Sequence, residues 1–296
     1  MMETINIACL QYNLKADQYL MNMNTVKSLL ESITSKKPDI IVLPELCFAG
    51  HFFTTGASFT LDTVSTGPAF DLMQRYSTQN NCMIAYGIKE KDTSGSLYST
   101  CVLIDQGELL GYYRKEHPPC VEKVFYDDGF NKTNIFNTRF GNIMLLICYD
   151  MSFAESYTHK GSKDVDIVLV SNGWIKMEKM PYLDGKEFEN HIILPRAIAI
   201  QNRCLVAVAT PIGDTKFIVP NFPMFGDGII TFDTEFCGNS LICDHTGSIL
   251  AMADRHSETA LFCSCSTQFS QQMKKIDFED YGLSQIVAML SKEEII

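Results

Sequence analysis

Three reactive side chains each lie at the end of a predicted strand in this sequence. Glu45 follows Ile-Ile-Val-Leu-Pro, Lys115 follows Leu-Gly-Tyr-Tyr-Arg, and Cys148 follows Leu-Leu-Ile. Runs of this length predict buried strands, and in α/β folds ligands bind beyond the carboxyl ends of strands. We therefore expect the three side chains to converge on one pocket.

A carboxylate, an ammonium group and a thiol have complementary chemistry. Only about 3% of an ordinary thiol is ionised at pH 7. A nearby carboxylate can take the thiol proton during attack, and a lysine can compensate the resulting negative charge. Taken singly, each residue has an ordinary explanation: Glu45 as a salt bridge at a strand end, Lys115 as a solvated loop residue, Cys148 as one more buried cysteine. The combination of the three favours a nucleophilic site.

The elements that must position these residues follow a mixed order of strands and helices. Many of the predicted strands are apolar at consecutive positions, which indicates that both of their faces are covered. These features predict a layered α/β protein in which two packed sheets are each backed by helices. The predicted strands cover residues 5–10, 40–43, 82–88, 97–104, 109–113, 135–138, 143–148, 166–170, 205–209, 240–243, 249–252 and 261–263, and the predicted helices cover 16–35, 68–76 and 186–203.

Several connections have recognisable signals. Gly107 and Gly141 each close a short turn between two predicted strands, at a position that favours positive φ. Pro195 is expected to kink or divide the third helix. Residues 211–236 are rich in Pro, Gly and aromatic side chains without a clean period, so we expect a long functional loop or an arm.

The composition excludes several classes of protein. The 296 residues are 46% hydrophobic and 20% charged, which excludes collagen-like, disordered and coiled-coil chains. With 24 basic and 35 acidic residues the net charge is −11, so nucleic-acid and membrane-surface partners are not expected. No stretch reaches the roughly 20 apolar residues that span a bilayer. Eleven cysteines cannot all pair, and the start of the chain does not resemble an export signal, so we expect a cytoplasmic protein.

Neither a metal nor an organic cofactor is expected. Cys263-Ser264-Cys265 lacks a second paired cluster, and the six histidines include no pair at i, i+4 spacing. Glycine-rich phosphate-binding motifs are also missing. A Cys–His pair with His117 as the base for Cys148 is an alternative nucleophilic arrangement. We prefer His117 as a loop residue that hydrogen-bonds the wall of the pocket.

In their order along the chain, these segments resemble the carbon–nitrogen hydrolase (nitrilase) superfamily. The resemblance runs from about Ile5 to about Cys265, so residues 1–266 are predicted to form the domain and 267–296 a C-terminal arm or docking tail. Its glutamate, lysine and nucleophile motifs match Leu43-Pro44-Glu45, Tyr113-Arg114-Lys115-Glu116-His117 and Ile147-Cys148-Tyr149-Asp150.

The resemblance implies both a fold and a catalytic set. The fold would be a four-layer αββα sandwich of two mixed sheets flanked by helices, usually assembled as a homodimer or higher homo-oligomer. Glu45, Lys115 and Cys148 would be catalytic, with Glu122 as a supporting acid. Cys148 would attack a carbonyl carbon, and Lys115 with the backbone N–H of Tyr149 would stabilise the oxyanion. No cofactor or metal is implied.

Details of the motifs favour an amide substrate. Phe153-Ala154-Glu155 resembles the ω-amidases, and Ser171-Asn172-Gly173-Trp174 resembles amidases and carbamoylases more broadly. Nitrilases usually carry Cys-Trp-Glu, so Tyr149-Asp150 argues against nitrile hydrolysis. Asn172 and Trp174 follow a predicted strand end and are candidate pocket residues, as is Tyr149.

We therefore predict a thiol-dependent hydrolase that cleaves a linear, non-peptide amide or N-carbamoyl C–N bond through a cysteine thioester. Ammonia or an amine would leave, and the partner would be a small-molecule amide. Nitrile hydrolysis and a non-catalytic scaffold that retains the fold are the alternatives.

Overall fold

Two six-stranded sheets and three α-helices dominate the fold. The computed structural model describes residues 4–50, 61–119, 122–158, 164–176, 187–220 and 229–266. The strands are β1 Ile5–Gln11, β2 Ile40–Val42, β3 Met83–Lys91, β4 Leu97–Asp105, β5 Glu108–Arg114, β6 Ile135–Thr138, β7 Gly141–Ile147, β8 Ile167–Ser171, β9 Leu205–Ala209, β10 Asp214–Pro220, β11 Ile229–Glu235, β12 Leu241–Cys243, β13 Ile249–Met252 and β14 Thr259–Cys265. The helices are α1 Tyr19–Ile33, α2 Pro68–Asn80 and α3 Glu187–Asn202, with short 3₁₀ turns at Thr34–Lys36, Glu122–Val124, Cys148–Ser152 and Ala154–Ser156.

Both six-stranded sheets are mixed. The first has the order β14-β1-β2-β3-β4-β5, and the second has the order β13-β12-β9-β8-β7-β6. In the first sheet β1, β2 and β3 are parallel, and in the second β7, β8 and β9 are parallel. The outer pairs are antiparallel. Glu45 and Cys148 therefore follow the carboxyl ends of the inner strands β2 and β7, whereas Lys115 follows the edge strand β5.

Three apolar clusters separate the layers of the molecule. One lies between the first sheet and the helices α1 and α2, and includes Val26, Met73 and Tyr86. The second lies between the two sheets, and the third lies between the second sheet and α3, where Ile198 is buried. Because each central strand contributes to a cluster on either side, its residues are apolar at consecutive positions. The predicted αββα sandwich is confirmed.

The two short turns have the backbone that their glycines indicate. Gln106 and Gly107 both have positive φ, at 53° and 86°, which is the conformation of a tight two-residue hairpin. Gly141 has a φ of 100°. An added Cβ there would lie 2.2 Å from a carboxylate oxygen of Asp166, so glycine is needed for the close approach as well.

Pro195 is expected to kink or divide the third helix, and the division is wrong. Helix α3 continues from Glu187 to Asn202 with the proline inside it. A proline in a helix interior costs about 3 kcal/mol. Burial of Ile198 and Ala199 against the second sheet offsets that cost, so tertiary packing overrides the local preference.

Of the loop or arm expected over 211–236, the loop is wrong for residues 214–220 and 229–235, which are strands. Strands β10 and β11 pair antiparallel from Asp214 opposite Glu235 to Pro220 opposite Ile229. They form a ribbon separate from both six-stranded sheets. Their sequence therefore does not need the apolar pattern of a strand in a core sheet. The predicted C-terminal arm lies outside the described residues. No helix in the described ranges is long and apolar enough to cross a membrane.

Candidate active site

Lys115 lies between two carboxylates in the interior of the protein. Its Nζ donates to Glu45 Oε1 at 2.8 Å and to Glu122 Oε2 at 2.7 Å. Glu45 follows β2, Lys115 follows β5, and Glu122 begins a 3₁₀ turn. All three side chains are buried. The fold therefore brings together three residues that are separated by up to 77 positions in the chain.

The two carboxylates keep Lys115 cationic. Burial by itself lowers the pKa of Lys115, but the negative charges of Glu122 and Glu45 outweigh burial and hold the pKa well above its ordinary value. The site thus contains an ammonium group at neutral pH. An ammonium in a site with little water is a strong stabiliser of developing negative charge.

Ser99 contacts the same carboxylate and was not singled out by the sequence. Its Oγ donates to Glu45 Oε1 at 2.7 Å, and its carbonyl accepts the Lys115 N–H at 2.9 Å. Ser99 lies on β4, next to the end of β5. It therefore orients the Glu45 carboxylate and fixes the Lys115 backbone from the same position.

Cys148 occupies a strained turn directly after β7. Its φ is 47°, in the left-handed region that side chains other than glycine rarely adopt. Such a conformation costs about 1–3 kcal/mol and persists only where the surroundings fix it. The turn continues as a 3₁₀ segment to Ser152. A strained turn after a strand is a known way to present a nucleophile to a pocket.

The thiol of Cys148 is neutral at rest. Burial raises its pKa well above the ordinary value, while the Lys115 ammonium acts in the opposite direction. The carboxylates of Glu45 and Glu122 raise the pKa further, and the Gly173 backbone N–H, which donates to the sulphur, lowers it. These effects place Cys148 within electrostatic reach of the other three residues. A base must therefore take the thiol proton when the sulphur attacks.

Asp150 connects the turn of Cys148 to the end of β5. One of its oxygens accepts from the Tyr113 hydroxyl at 3.0 Å and from the Ile147 N–H at 3.3 Å. The other accepts from the His117 N–H at 2.9 Å. Because Tyr113 and His117 lie two residues before and after Lys115, Asp150 links the turn of Cys148 to the chain on both sides of Lys115.

The His117 ring belongs to this connection. Its Nδ1 lies 3.2 Å from an Asp150 oxygen, and the ring stacks on Phe153 with centroids 4.0 Å apart. The hydrogen bond with Asp150 raises the pKa of His117 above its ordinary value. These contacts fit a residue of the pocket wall better than a base for the thiol.

Tyr149 and Trp174 lie beside the turn of Cys148. Their ring centroids are 6.2 Å apart, and Tyr149 also contacts Phe153 edge-on at 5.2 Å. Asn172 is fully buried and has a different setting, since its amide donates to Thr210 Oγ1 at 3.0 Å. The backbone carbonyl of Asn172 accepts the Glu45 N–H at 3.2 Å. The aromatic pair is positioned to border the site, whereas Asn172 supports the backbone of Glu45.

The described residues contain no group of three or more His, Cys, Asp or Glu side chains arranged to hold a metal ion. The chemistry that this arrangement can perform with its own residues is attack by a thiol, proton transfer by a carboxylate and stabilisation of an oxyanion by an ammonium group.

Comparisons with known proteins identify the family of the chain. The family model for carbon-nitrogen hydrolase matches residues 6–275. The chain is 25% identical over 277 residues to a Schizosaccharomyces pombe protein named probable nitrilase C965.09, covering 91% of this chain and 92% of that protein. It is 26% identical over 251 residues to the 2-oxoglutaramate amidase of Bacillus subtilis, covering 84% of this chain and 86% of that enzyme.

A solved structure gives the same result for the fold. The crystal structure of Saccharomyces cerevisiae Nit3, a member of branch 10 of the nitrilase superfamily, aligns with a TM-score of 0.73 at 17% identity. The alignment covers 93% of this chain and 94% of that chain.

Proposed function

We propose that this chain, which belongs to the carbon–nitrogen hydrolase family and is a hydrolase of carbon–nitrogen bonds, cleaves a linear non-peptide amide or N-carbamoyl bond through a thioester on Cys148. The observation that carries the proposal is the Lys115 ammonium, held between Glu45 and Glu122 within electrostatic reach of the buried thiol.

In the first half of the reaction, the Cys148 sulphur attacks the carbonyl carbon and its proton passes to Glu45. The carbonyl oxygen becomes an oxyanion, which the Lys115 ammonium and the Tyr149 backbone N–H stabilise. One donor of this kind typically lowers the activation free energy by about 3–4 kcal/mol. Glu45 then protonates the nitrogen, the C–N bond breaks, and ammonia or an amine leaves.

In the second half, Glu45 takes a proton from a water molecule that attacks the thioester. Collapse of the second tetrahedral intermediate breaks the C–S bond and releases the acid, and the sulphur regains a proton from Glu45. Glu122 supports both halves because it holds the Lys115 ammonium in place at 2.7 Å. Tyr149 and Trp174 would border the acyl group, and Asn172 would support the Glu45 backbone.

The test replaces the sulphur and measures ammonia. Purified Cys148→Ala and Cys148→Ser are assayed with a panel of amides, N-carbamoyl compounds and nitriles, with Cys101→Ala as a matched control for loss of a buried thiol. We expect both Cys148 variants to lose turnover while the control retains it, and intact mass spectrometry to show an acyl adduct on Cys148 only. Undiminished turnover by a folded Cys148→Ala would end the proposal, and release from nitriles alone would show nitrile hydrolysis instead.

We further propose that the protein acts in the cytoplasm as a homodimer or larger homo-oligomer. The described part of the chain forms no disulfide, which fits a reducing compartment. Light scattering of the purified full chain gives the oligomeric state, and a monomer at micromolar concentration would contradict the assembly proposed.

A further inference from the structure

The segment Glu122–Asn131 contacts Lys115 and its neighbour at two separate places. At its start, Glu122 accepts the Lys115 ammonium at 2.7 Å. Near its end, the Gly129 N–H donates to the Lys115 carbonyl at 2.8 Å, and Asn131 bonds to the backbone of Arg114. One segment therefore holds both the side-chain tip and the main chain at the end of β5.

The Asn131 side chain takes the place of a neighbouring strand. Its Oδ1 accepts the Arg114 N–H at 3.0 Å, and its Nδ2 donates to the Arg114 carbonyl at 2.8 Å and to Glu116 Oε1 at 3.2 Å. β5 is at the edge of its sheet, so these backbone groups face away from β4. On the opposite side, Ser99 accepts the Lys115 N–H. The end of β5 is thus fixed along both of its edges.

The path of the segment is set by close packing. A Cβ on Gly129 would lie 2.3 Å from the Arg114 carbonyl oxygen, so only glycine allows the segment to approach β5 this closely. Tyr126 packs against Leu46, the residue that follows Glu45. The Asp127 N–H donates to the Leu97 carbonyl at 2.9 Å. These contacts leave Asn131 as the side chain that ties the end of the segment to β5.

We infer that Asn131 is a positioning residue for the reaction, because its paired hydrogen bonds to Arg114 hold the next residue, Lys115, where its ammonium faces both Glu122 and the Cys148 sulphur. The inference rests on the proposed function for its catalytic consequence. Asn131 does not touch the substrate in this scheme and acts only through Lys115.

Loss of the Asn131 side chain should raise the pKa of the Cys148 thiol. The charged groups that face Cys148 are Lys115, Glu45 and Glu122, and of these only Lys115 favours the thiolate. If the ammonium moves away, the two carboxylates act unopposed and the pKa of the thiol rises. Alkylation of Cys148 by iodoacetamide then requires a higher pH, since the thiolate is the reacting form.

The experiment compares Asn131→Ala with Asn137→Ala. Asn137 is an exposed residue of β6 whose amide bonds to the side chain of Asn142, at the opposite end of β7 from Cys148. For Asn131→Ala we expect kcat for an accepted amide to fall about tenfold or more, because the substitution removes both hydrogen bonds to Arg114 and the one to Glu116. We expect KM to change little. The pH profile of Cys148 alkylation moves to higher pH. Asn137→Ala keeps the wild-type kcat, KM and pH profile of alkylation.

A third variant separates positioning from general loosening of the fold. In a Lys115→Met background, adding Asn131→Ala should leave the alkylation profile where Lys115→Met alone places it. An unchanged profile and kcat in Asn131→Ala would overturn the inference, as would an equal additional shift in the Lys115→Met background. If the wild type hydrolyses no amide at all, the proposed function fails, and the alkylation profiles still decide the role of Asn131.

Discussion

The left-handed backbone at Cys148 gives a stability prediction that requires no substrate. Cys148→Ala and Cys148→Gly both remove the sulphur, but only alanine keeps a Cβ at a φ of 47°. Cys101 provides the matched position, because it is a fully buried thiol in the extended strand β4. The quantity to compare is the free-energy difference between the alanine and glycine variants at each position.

The expected difference follows from the backbone at the two positions. In the strand, Cys101→Gly should be less stable than Cys101→Ala by about 1.5 kcal/mol, from about 0.5–1 of backbone entropy and about 0.8 for a buried methyl group. At Cys148 the same two costs apply, but glycine also removes the left-handed cost of about 1–2 kcal/mol. The alanine and glycine variants at Cys148 should therefore be nearly equal in stability.

Urea unfolding of the four variants at one protein concentration measures both differences. We expect the alanine-to-glycine cost to be smaller at Cys148 than at Cys101 by about 1–2 kcal/mol. Equal costs at the two positions would refute the reasoning, because they would mean that the surroundings do not hold Cys148 in a strained conformation.

Two further predictions concern the buried side chains of Asp62 and Tyr113. Burial raises the pKa of Asp62 to about 6, so its protonated form stabilises the fold below about pH 4 and that contribution is lost as the pH rises through 6. Asp62→Asn should flatten this dependence and raise the free energy of unfolding at pH 7 by up to about 3 kcal/mol. Urea titrations between pH 4 and 7 measure it, and a steeper dependence in the variant would contradict the assignment. Tyr113→Phe, which removes a donor to Asp150, should cost about 1.5–3 kcal/mol and slow Cys148 alkylation. Tyr86→Phe should do neither, since the described residues offer the Tyr86 hydroxyl no partner, and equal losses in the two variants would contradict the role of Asp150.

Some residues of the candidate site could be placed from the local sequence, and others could not. Glu45 and Cys148 each follow a continuous apolar run, and such runs are buried strands here because both faces of each strand are covered. The position of both residues at strand ends could therefore be predicted from the sequence. The order of the motifs along the chain indicated that the two residues share a site. The distance between their side chains could not be predicted.

Ser99 shows why the rest could not be predicted. Counting back from the turn, where Asp105 pairs with Glu108, places Ser99 opposite Arg114. A bulge between Leu103 and Ile104 shifts the register by one residue, so that Ser99 meets Lys115 instead. An irregularity of this kind has no sequence signature of its own, yet it decides which side chain faces Glu45.

The relative position of carboxylate and thiol is a property of both sheets together. Glu45 and Lys115 leave the first sheet, and Cys148 leaves the second. Polar contacts cross between the sheets at this edge: Ser171 Oγ donates to the Leu43 carbonyl at 2.9 Å, and the Glu45 N–H donates to the Asn172 carbonyl at 3.2 Å. The chain that leads into the glutamate is therefore held by β8 and the residue that follows it, next to the strand that carries the cysteine. Because these bonds are buried beside the apolar layer, a shift of one sheet against the other would leave donors and acceptors unsatisfied, at about 1–3 kcal/mol each. Apolar packing has no preferred direction. The cost of breaking these directional bonds therefore fixes the geometry of the site more firmly than apolar packing alone.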